Sequence, residues 1–332
     1  MWSATLKMIR DYPIWGTGPG TWQWFHLKYR DPRMVQHPEY AHSDVLNLAS
    51  DYGLVGLVLV TAIFACFFWH VVLLARRANS SEQRSFAIGS AMGVTAILIH
   101  SWFDFNMHIR ANALLVATIM GFVAAMDDSQ GRFKRIEMKP PLKFALAGLL
   151  LLLCLAGGWF GGSVYVADRD TYKGNNARQG LFFNHALSHY QRATEVDPKH
   201  PTPFAKLGDI YQTRATFQVG TNRLAERLRL TQKAIAFYRH SLALNPYNSE
   251  VRLRLARSYQ LAGNNDSALK TFQQALALDP NNAFIHQRLG FFYRDTGDHK
   301  RAIEHFEKSH QLNWWTDPAA PLNLEELRSL KP

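Results

Sequence analysis

Three groups of side chains in this sequence have the types and spacing to do chemistry. The first is His42, with Ser43 and Asp44, at the start of a helical run that continues through Leu46, Leu48 and Gly53 into an apolar stretch. The dipole of a helix N-terminus holds an imidazole partly neutral, as a general base requires; the competing reading is a solvent-exposed or capping residue. The second is His100, Asp104 and His108, four residues apart across the end of another apolar run. Ionisable groups at membrane depth are costly and so default to pairing or function. The trio reads as an interfacial hydrogen-bond network or, with only one carboxylate and two imidazoles, as a poorer metal site. The third is Lys28, Arg30 and Arg33, interleaved with Trp22, Trp24, Phe25 and Tyr29. Such a mixture either sits in an interfacial belt and touches lipid phosphates, or recognises a pyrophosphate, which arginine can hold through two parallel bonds.

Other signatures fall away. Gly16-Thr17-Gly18-Pro19-Gly20 lacks the Gly-Lys-Ser/Thr ending of a phosphate loop, and Pro19 removes a donor, so a turn is the plainer reading. Cys66 and Cys154 both lie in apolar runs, which excludes a disulfide framework and a thiolate zinc site. No signal-peptide pattern follows Met1.

The elements that must carry these groups differ between the two halves of the 332 residues. Residues 1–166 hold 14 Lys/Arg and 10 Asp/Glu and contain long uncharged apolar runs; residues 167–332 hold 23 and 16 and contain almost none. The basic residues of the second half are scattered among acids along helical patterns, which fits a solvated helical surface and no nucleic-acid partner. Four stretches could cross a bilayer: 53–75, 86–103, 111–126 and 144–166. The loops after the first and third carry Arg76, Arg77, Arg84 and Arg132, Lys134, Arg135, Lys139, Lys143. Basic loops stay in the cytoplasm. Residues 1–52, the 104–110 hairpin and everything after 166 are therefore expected on the far side, which in a bacterium is the periplasm.

After residue 166 the period changes. Pro246 and Pro280 close blocks of 34 residues, and Pro198 closes a similar one. Within them recur Leu207, Gly208, Tyr211; Leu255, Ala256, Tyr259; and Leu289, Gly290, Tyr293. Their second helices carry Ala234, Tyr238, Ser241; Ala268, Phe272, Ala275; and Ala302, Phe306. This is the tetratricopeptide pattern, in which small residues let paired helices approach and aromatic residues fill the space between them. A weaker unit with Ala186, Tyr190 and Ala193 precedes them, giving about four helix pairs with a shared core. A 14-residue insertion, falling roughly between Thr216 and Leu230, is expected to lengthen the helices of its pair, and Leu322 to Leu330 to form a capping helix. The expected fold is all-α. Its domains are a periplasmic loop (1–52), three transmembrane helices (53–126), a basic cytoplasmic loop (127–143), a fourth transmembrane helix (144–166), periplasmic repeats (167–316) and a capping segment (317–332).

Three ordered stretches resemble the O-antigen ligase and polymerase family of membrane proteins: Met8-Ile9-Arg10-Asp11-Tyr12-Pro13-Ile14-Trp15-Gly16-Thr17-Gly18-Pro19-Gly20-Thr21-Trp22, then Ala41-His42-Ser43-Asp44-Val45-Leu46-Asn47-Leu48 running on to Gly56, and His100-Ser101-Trp102-Phe103-Asp104-Phe105. The resemblance covers residues 1–126. It implies transfer of a glycan from undecaprenyl pyrophosphate to an acceptor hydroxyl of a lipid, glycan or protein in the periplasm, in a bacterial inner membrane, with neither metal nor cofactor. It also implies roles. His42 would take the acceptor proton, Arg30 or Arg33 with Lys28 would bind the pyrophosphate, and Asp104, His100 and Ser43 would support them. Ser43 stands where the family commonly has Asn. The family's membrane domain is larger, so the chain resembles a C-terminal portion and is expected to be inactive or weakly active alone. A contrasting reading is a membrane-anchored tetratricopeptide scaffold for protein partners in cell-envelope polysaccharide or pilus assembly. A transporter fragment fits less well, because charges within the spans are scarce.

Overall fold

The computed structural model describes residues 1–32, 38–128, 139–218 and 223–313. Among the described residues all regular structure is helical, and the chain divides into two compact units, Met1–Glu137 and Met138–Pro332.

The first unit holds α1 (Trp2–Asp11), the short α2 (Trp22–Phe25) with a 3-10 turn at His26–Lys28, α3 (Asp44–Arg77), α4 (Ser81–His100), a 3-10 turn at Asn106–His108, and α5 (Arg110–Asp128). Helix α3 begins where it does because Ser43 is extended and its Oγ accepts the Leu46 N–H at 3.3 Å, with Asp44 in the first turn and Arg76 and Arg77 in the last to oppose the helix dipole. It breaks at Gly53, whose φ of 64° only glycine adopts freely. The break leaves amides without partners inside the helix, and the chain after α1 supplies them: Leu54 N–H donates to Pro13 O at 2.8 Å and Val55 N–H to Ile14 O at 3.2 Å. A Cβ at Gly53 would stand 2.2 Å from Ile14 O.

Helices α3, α4 and α5 meet through Phe67, Val71, Leu74, Ala87, Val94, Val116 and Val123. Their other faces are apolar too, with Leu59, Trp69, Met92, Leu114 and Phe122 all exposed. A helix apolar all round belongs in an apolar medium. Two described helices are long and apolar enough to cross a membrane, α3 and α6 (Pro140–Gln179); the apolar part of α5, Arg110–Met126, is shorter. Of the four expected spans, the first lies within α3, the third within α5 and the fourth within α6. The second lies within α4 as far as residue 100. Helix α4 ends at His100, where Ser101 caps it by donating its N–H to Ile97 O.

The second unit continues from α6 into α7 (Phe183–Val196), α8 (Pro201–Thr216), α9 (Leu224–Leu244), α10 (Ser249–Leu261), α11 (Asn265–Leu278), α12 (Ala283–Asp295) and α13 (His299–Asn313). The end of α6 pairs with α7, and α8 with α9, α10 with α11, α12 with α13. The small and aromatic positions meet as the repeat requires. A Cβ on Gly174, Gly208 or Gly290 would lie 2.5, 2.6 or 2.7 Å from the ring of Tyr190, Tyr238 or Phe306. Asn248, Asn264 and Asn282 cap α10, α11 and α12 through their side-chain oxygens. The insertion does lengthen its pair: α8 and α9 have 16 and 21 residues, against 13 and 14 in α10 and α11. The expected capping helix at 322–330 lies outside the described residues.

Candidate functional site

His42 is fixed from both sides. The N–H of Ala41 donates to Asn47 Oδ1 at 2.6 Å, its carbonyl accepts from Trp2 Nε1 at 3.0 Å, and Ser43 caps α3. Ala41 and Ser43 are buried while about half of the His42 side chain is exposed, so the backbone is clamped and the ring faces outward. His42 itself has φ 51°, a left-handed conformation that costs a side-chain-bearing residue on the order of 1 kcal/mol. That strain persists because the clamps on either side over-determine it.

The connection from α4 to α5 wraps onto this point. Asp44 N–H donates to the carbonyls of Ser101, at 2.8 Å, and Asp104, at 3.1 Å. These bonds bring Asp104 Oδ1 to 3.7 Å from His42 Nδ1, while its Oδ2 lies 3.9 Å from His100 Nε2. Both are ion-pair distances, longer than hydrogen bonds. Phe105 meets the His42 ring edge to face at 4.9 Å.

His108 does not join His100 and Asp104. Its Nδ1 lies 2.6 Å from Asp44 Oδ1, and Asp44 Oδ2 accepts the Met107 N–H at 2.8 Å. The four-residue spacing places the trio on one face only if the helix continues, and it stops at His100. Tyr40 covers the His108 ring at 4.5 Å. Sequence reasoning names Asp44 and His108 in separate groups and misses their pairing, and it misses Asn47; the pairing crosses 64 residues, and no local spacing announces it. Among the described residues no three potential ligands converge to hold a metal ion.

The basic group occupies a different segment, the turn after α2. Lys28 is exposed, with its ammonium 5.4 Å from the centre of the Tyr29 ring. Arg30 is only 5% exposed, so its guanidinium is enclosed by protein. Arg33 lies outside the described residues. Tyr29 donates to Asp11 at 2.7 Å, and burial together with that carboxylate pushes its pKa up, keeping the phenol protonated. The turn is anchored by Trp22, which stacks on His26 at 4.1 Å and donates from Nε1 to Thr5 Oγ1 at 2.9 Å.

Three amides of the Gly16–Gly20 turn are already bonded within the protein. Thr17 N–H and Gly18 N–H donate to the carbonyls of Ser50 and Asp51, each at 2.9 Å, and Gly20 N–H donates to Asp51 Oδ2 at 3.0 Å. It is a bracket that holds the loop against α3.

Residues 1–61 match the model of the O-antigen ligase family. Residues 230–289 and 285–313 match tetratricopeptide repeat models. The chain thus joins a stretch of the ligase type, which contains His42, Ser43, Lys28, Arg30 and Arg33, to a tetratricopeptide region. No curated protein matches the chain. Similar solved structures include a MamA protein, 21% identical over 49% of this chain and 81% of its own, with a TM-score of 0.40. A thermophilic tetratricopeptide protein of Thermus thermophilus is 14% identical over 67% and 95%, with a TM-score of 0.44. PilF of Pseudomonas aeruginosa is 22% identical over 51% and 70%, with a TM-score of 0.43.

Proposed function

We propose that residues 1–126 contribute the acceptor side of a membrane glycosyltransferase. It moves a glycan from undecaprenyl pyrophosphate to an acceptor hydroxyl on the periplasmic face of the bacterial inner membrane, where the repeat unit also lies. The observation that carries this reading is His42, within the ligase-type stretch, paired with Asp104 from the connection between α4 and α5. A carboxylate beside Nδ1 favours the tautomer whose proton sits there, which leaves Nε2 free to accept a proton. A hydroxyl is a poor nucleophile, and an imidazole positioned in this way activates it. His100 shares the same carboxylate and Ser43 holds the backbone. Lys28 and Arg33 are the cations proposed to meet the donor's diphosphate, whose leaving oxygen gathers negative charge as the sugar departs, and buried Arg30 adds its charge from inside the turn. A chain with four crossings, 53–75, 86–103, 111–126 and 144–166, would place these groups on one side.

The test is glycan transfer in bacterial membranes that carry the protein in its native genomic setting. His42→Ala should lower transfer by about a hundredfold or more. Asp104→Asn should lower it less and shift its pH profile, because it disturbs the orientation of the ring without removing it. Undiminished transfer by His42→Ala overturns the proposal. The alternative, a membrane-anchored scaffold, draws on the tetratricopeptide unit and expects partner binding to survive that substitution.

A further inference from the structure

Four arginines from three helices line one cavity of about 520 Å³ in the repeat unit: Arg227 from α9, Arg257 from α10, and Arg288 and Arg294 from α12. One acid, Asp295, lines it with them and is already engaged. It accepts from Arg294 at 2.9 Å and from Gln260 Nε2 at 3.2 Å. Among the described residues no carboxylate pairs with Arg227, Arg257 or Arg288. The neighbouring cluster shows the contrast, because Arg254 holds both oxygens of Asp209 and also reaches Glu250.

Arg288 is held in place without a counter-ion. Its guanidinium lies 4.6 Å from the centre of the Phe284 ring and 5.9 Å from that of Phe291, and the Arg294 guanidinium also lies over the Phe291 ring, at 5.0 Å. Aromatic faces attract a guanidinium but leave its in-plane N–H donors unused. The Nε atoms of Arg227 and Arg288 are shielded from solvent and meet no acceptor. Burial and the nearby Arg257 push the pKa of Arg288 down, the sign of a charge that lacks compensation.

We infer that this cavity is a docking site for an acidic segment of a protein partner, with the partner's carboxylates between Arg257 and Arg288 and its apolar side chains against Phe291. The lining decides the class. Sugar hydroxyls need acceptors as well as donors, whereas here four guanidinium groups outnumber the side-chain acceptors, Gln260 Oε1 and an Asp295 that is already bonded. Carboxylates are pure acceptors and fit forked donors in pairs. The inference is independent of the transferase reading, since binding is measured with no transfer involved.

The experiment uses the full chain in detergent micelles and a short fluorescein-labelled peptide alternating glutamate with leucine. A second peptide carries glutamine at every glutamate. Fluorescence anisotropy should show the glutamate peptide binding at least about tenfold more tightly than the glutamine peptide, and weakening as salt rises. Arg257→Gln combined with Arg288→Gln should remove about tenfold or more of that affinity. Arg239→Gln, exposed and outside the cavity, should change nothing. The peptide comparison is made on the unaltered protein and so does not depend on the variants folding. Equal binding of the two peptides, or undiminished binding by a double variant that melts normally, overturns the inference. Tighter binding of polygalacturonate than of the acidic peptide overturns it in favour of an acidic glycan.

Discussion

In the repeat helices Gly174, Gly208 and Gly290 face aromatic rings so closely that a Cβ would collide, whereas Gly157, Gly158, Gly161 and Gly162 in the apolar part of α6 meet nothing within 4 Å. Large side chains divide the same way. Tyr190, Tyr238, Phe272 and Phe306 are fully buried, while Leu152, Trp159 and Phe160 stand open. The two regions use one secondary structure for opposite purposes. In the repeats, each helix hides a stripe and the interior is protein; in α6 the apolar side chains point outward all round, and the surrounding medium must supply the contacts. A residue type therefore carries no fixed energetic meaning here until its surroundings are known.

The sharpest way to break the comparison is to remove one ring from each region. Phe272→Ala leaves a cavity between α10, α11 and α12 and should lower repeat stability by about 3–5 kcal/mol in denaturant titration. Phe160→Ala in the same chain should leave that transition within about 0.5 kcal/mol. Similar losses from both would mean that α6 is packed against protein.

The next effect is a pH dependence of the repeats. His286 Nε2 lies 3.1 Å from Pro280 O, which can only accept, so that nitrogen carries the proton. Its Nδ1, 3.0 Å from His305 Nδ1, then accepts from the neighbouring ring. Burial, with His305 and Lys308 close by, pushes His286 down to about 4. An unfolded histidine titrates near about 6.5, so between these values the unfolded chain binds a proton that the folded chain refuses. Stability should be full above about pH 6.5 and decline as the pH falls toward 4, by up to about 3 kcal/mol. Thermal melts across that range measure it, and His286→Gln should flatten the slope.

The smallest contrast concerns the glycines. Gly290→Leu drives a side chain into Phe306 and should cost about 1–3 kcal/mol, read by the same melts. Gly161→Leu should cost nothing measurable in the repeat transition, because no atom stands in the way.

Much of this architecture can be read along the chain, because its signals are local or periodic. The 34-residue spacing, the small residues before aromatic ones and the start of α3 at Ser43 each reflect packing or capping within one helix pair or one turn. What resists reading is whatever needs two distant segments to meet. The pairing of His108 with Asp44 depends on how the end of α4 folds back on the start of α3; four-residue spacing alone assigns His108 to the wrong carboxylate. Scattered arginines suggest a solvated surface, yet stacking the repeats gathers Arg227, Arg257, Arg288 and Arg294 at one place. The bracket of Thr17, Gly18 and Gly20 on Ser50 and Asp51 is likewise invisible until Gly53 breaks the helix and opens room for it.

Helix α6 runs for 40 residues without interruption, from Pro140 past its outward-facing leucines to Gly174 against Tyr190. At about 1.5 Å per residue it is a rod of roughly 60 Å. The first repeat is the far end of that rod and has no hinge of its own. Any roll or tilt imposed near Leu149 is delivered as a rotation of the first helix pair, and a single residue inserted near Ser163 would swing that pair by roughly 100°. The heading of the solenoid is thus set like a weathervane's, by the shaft on which it is mounted.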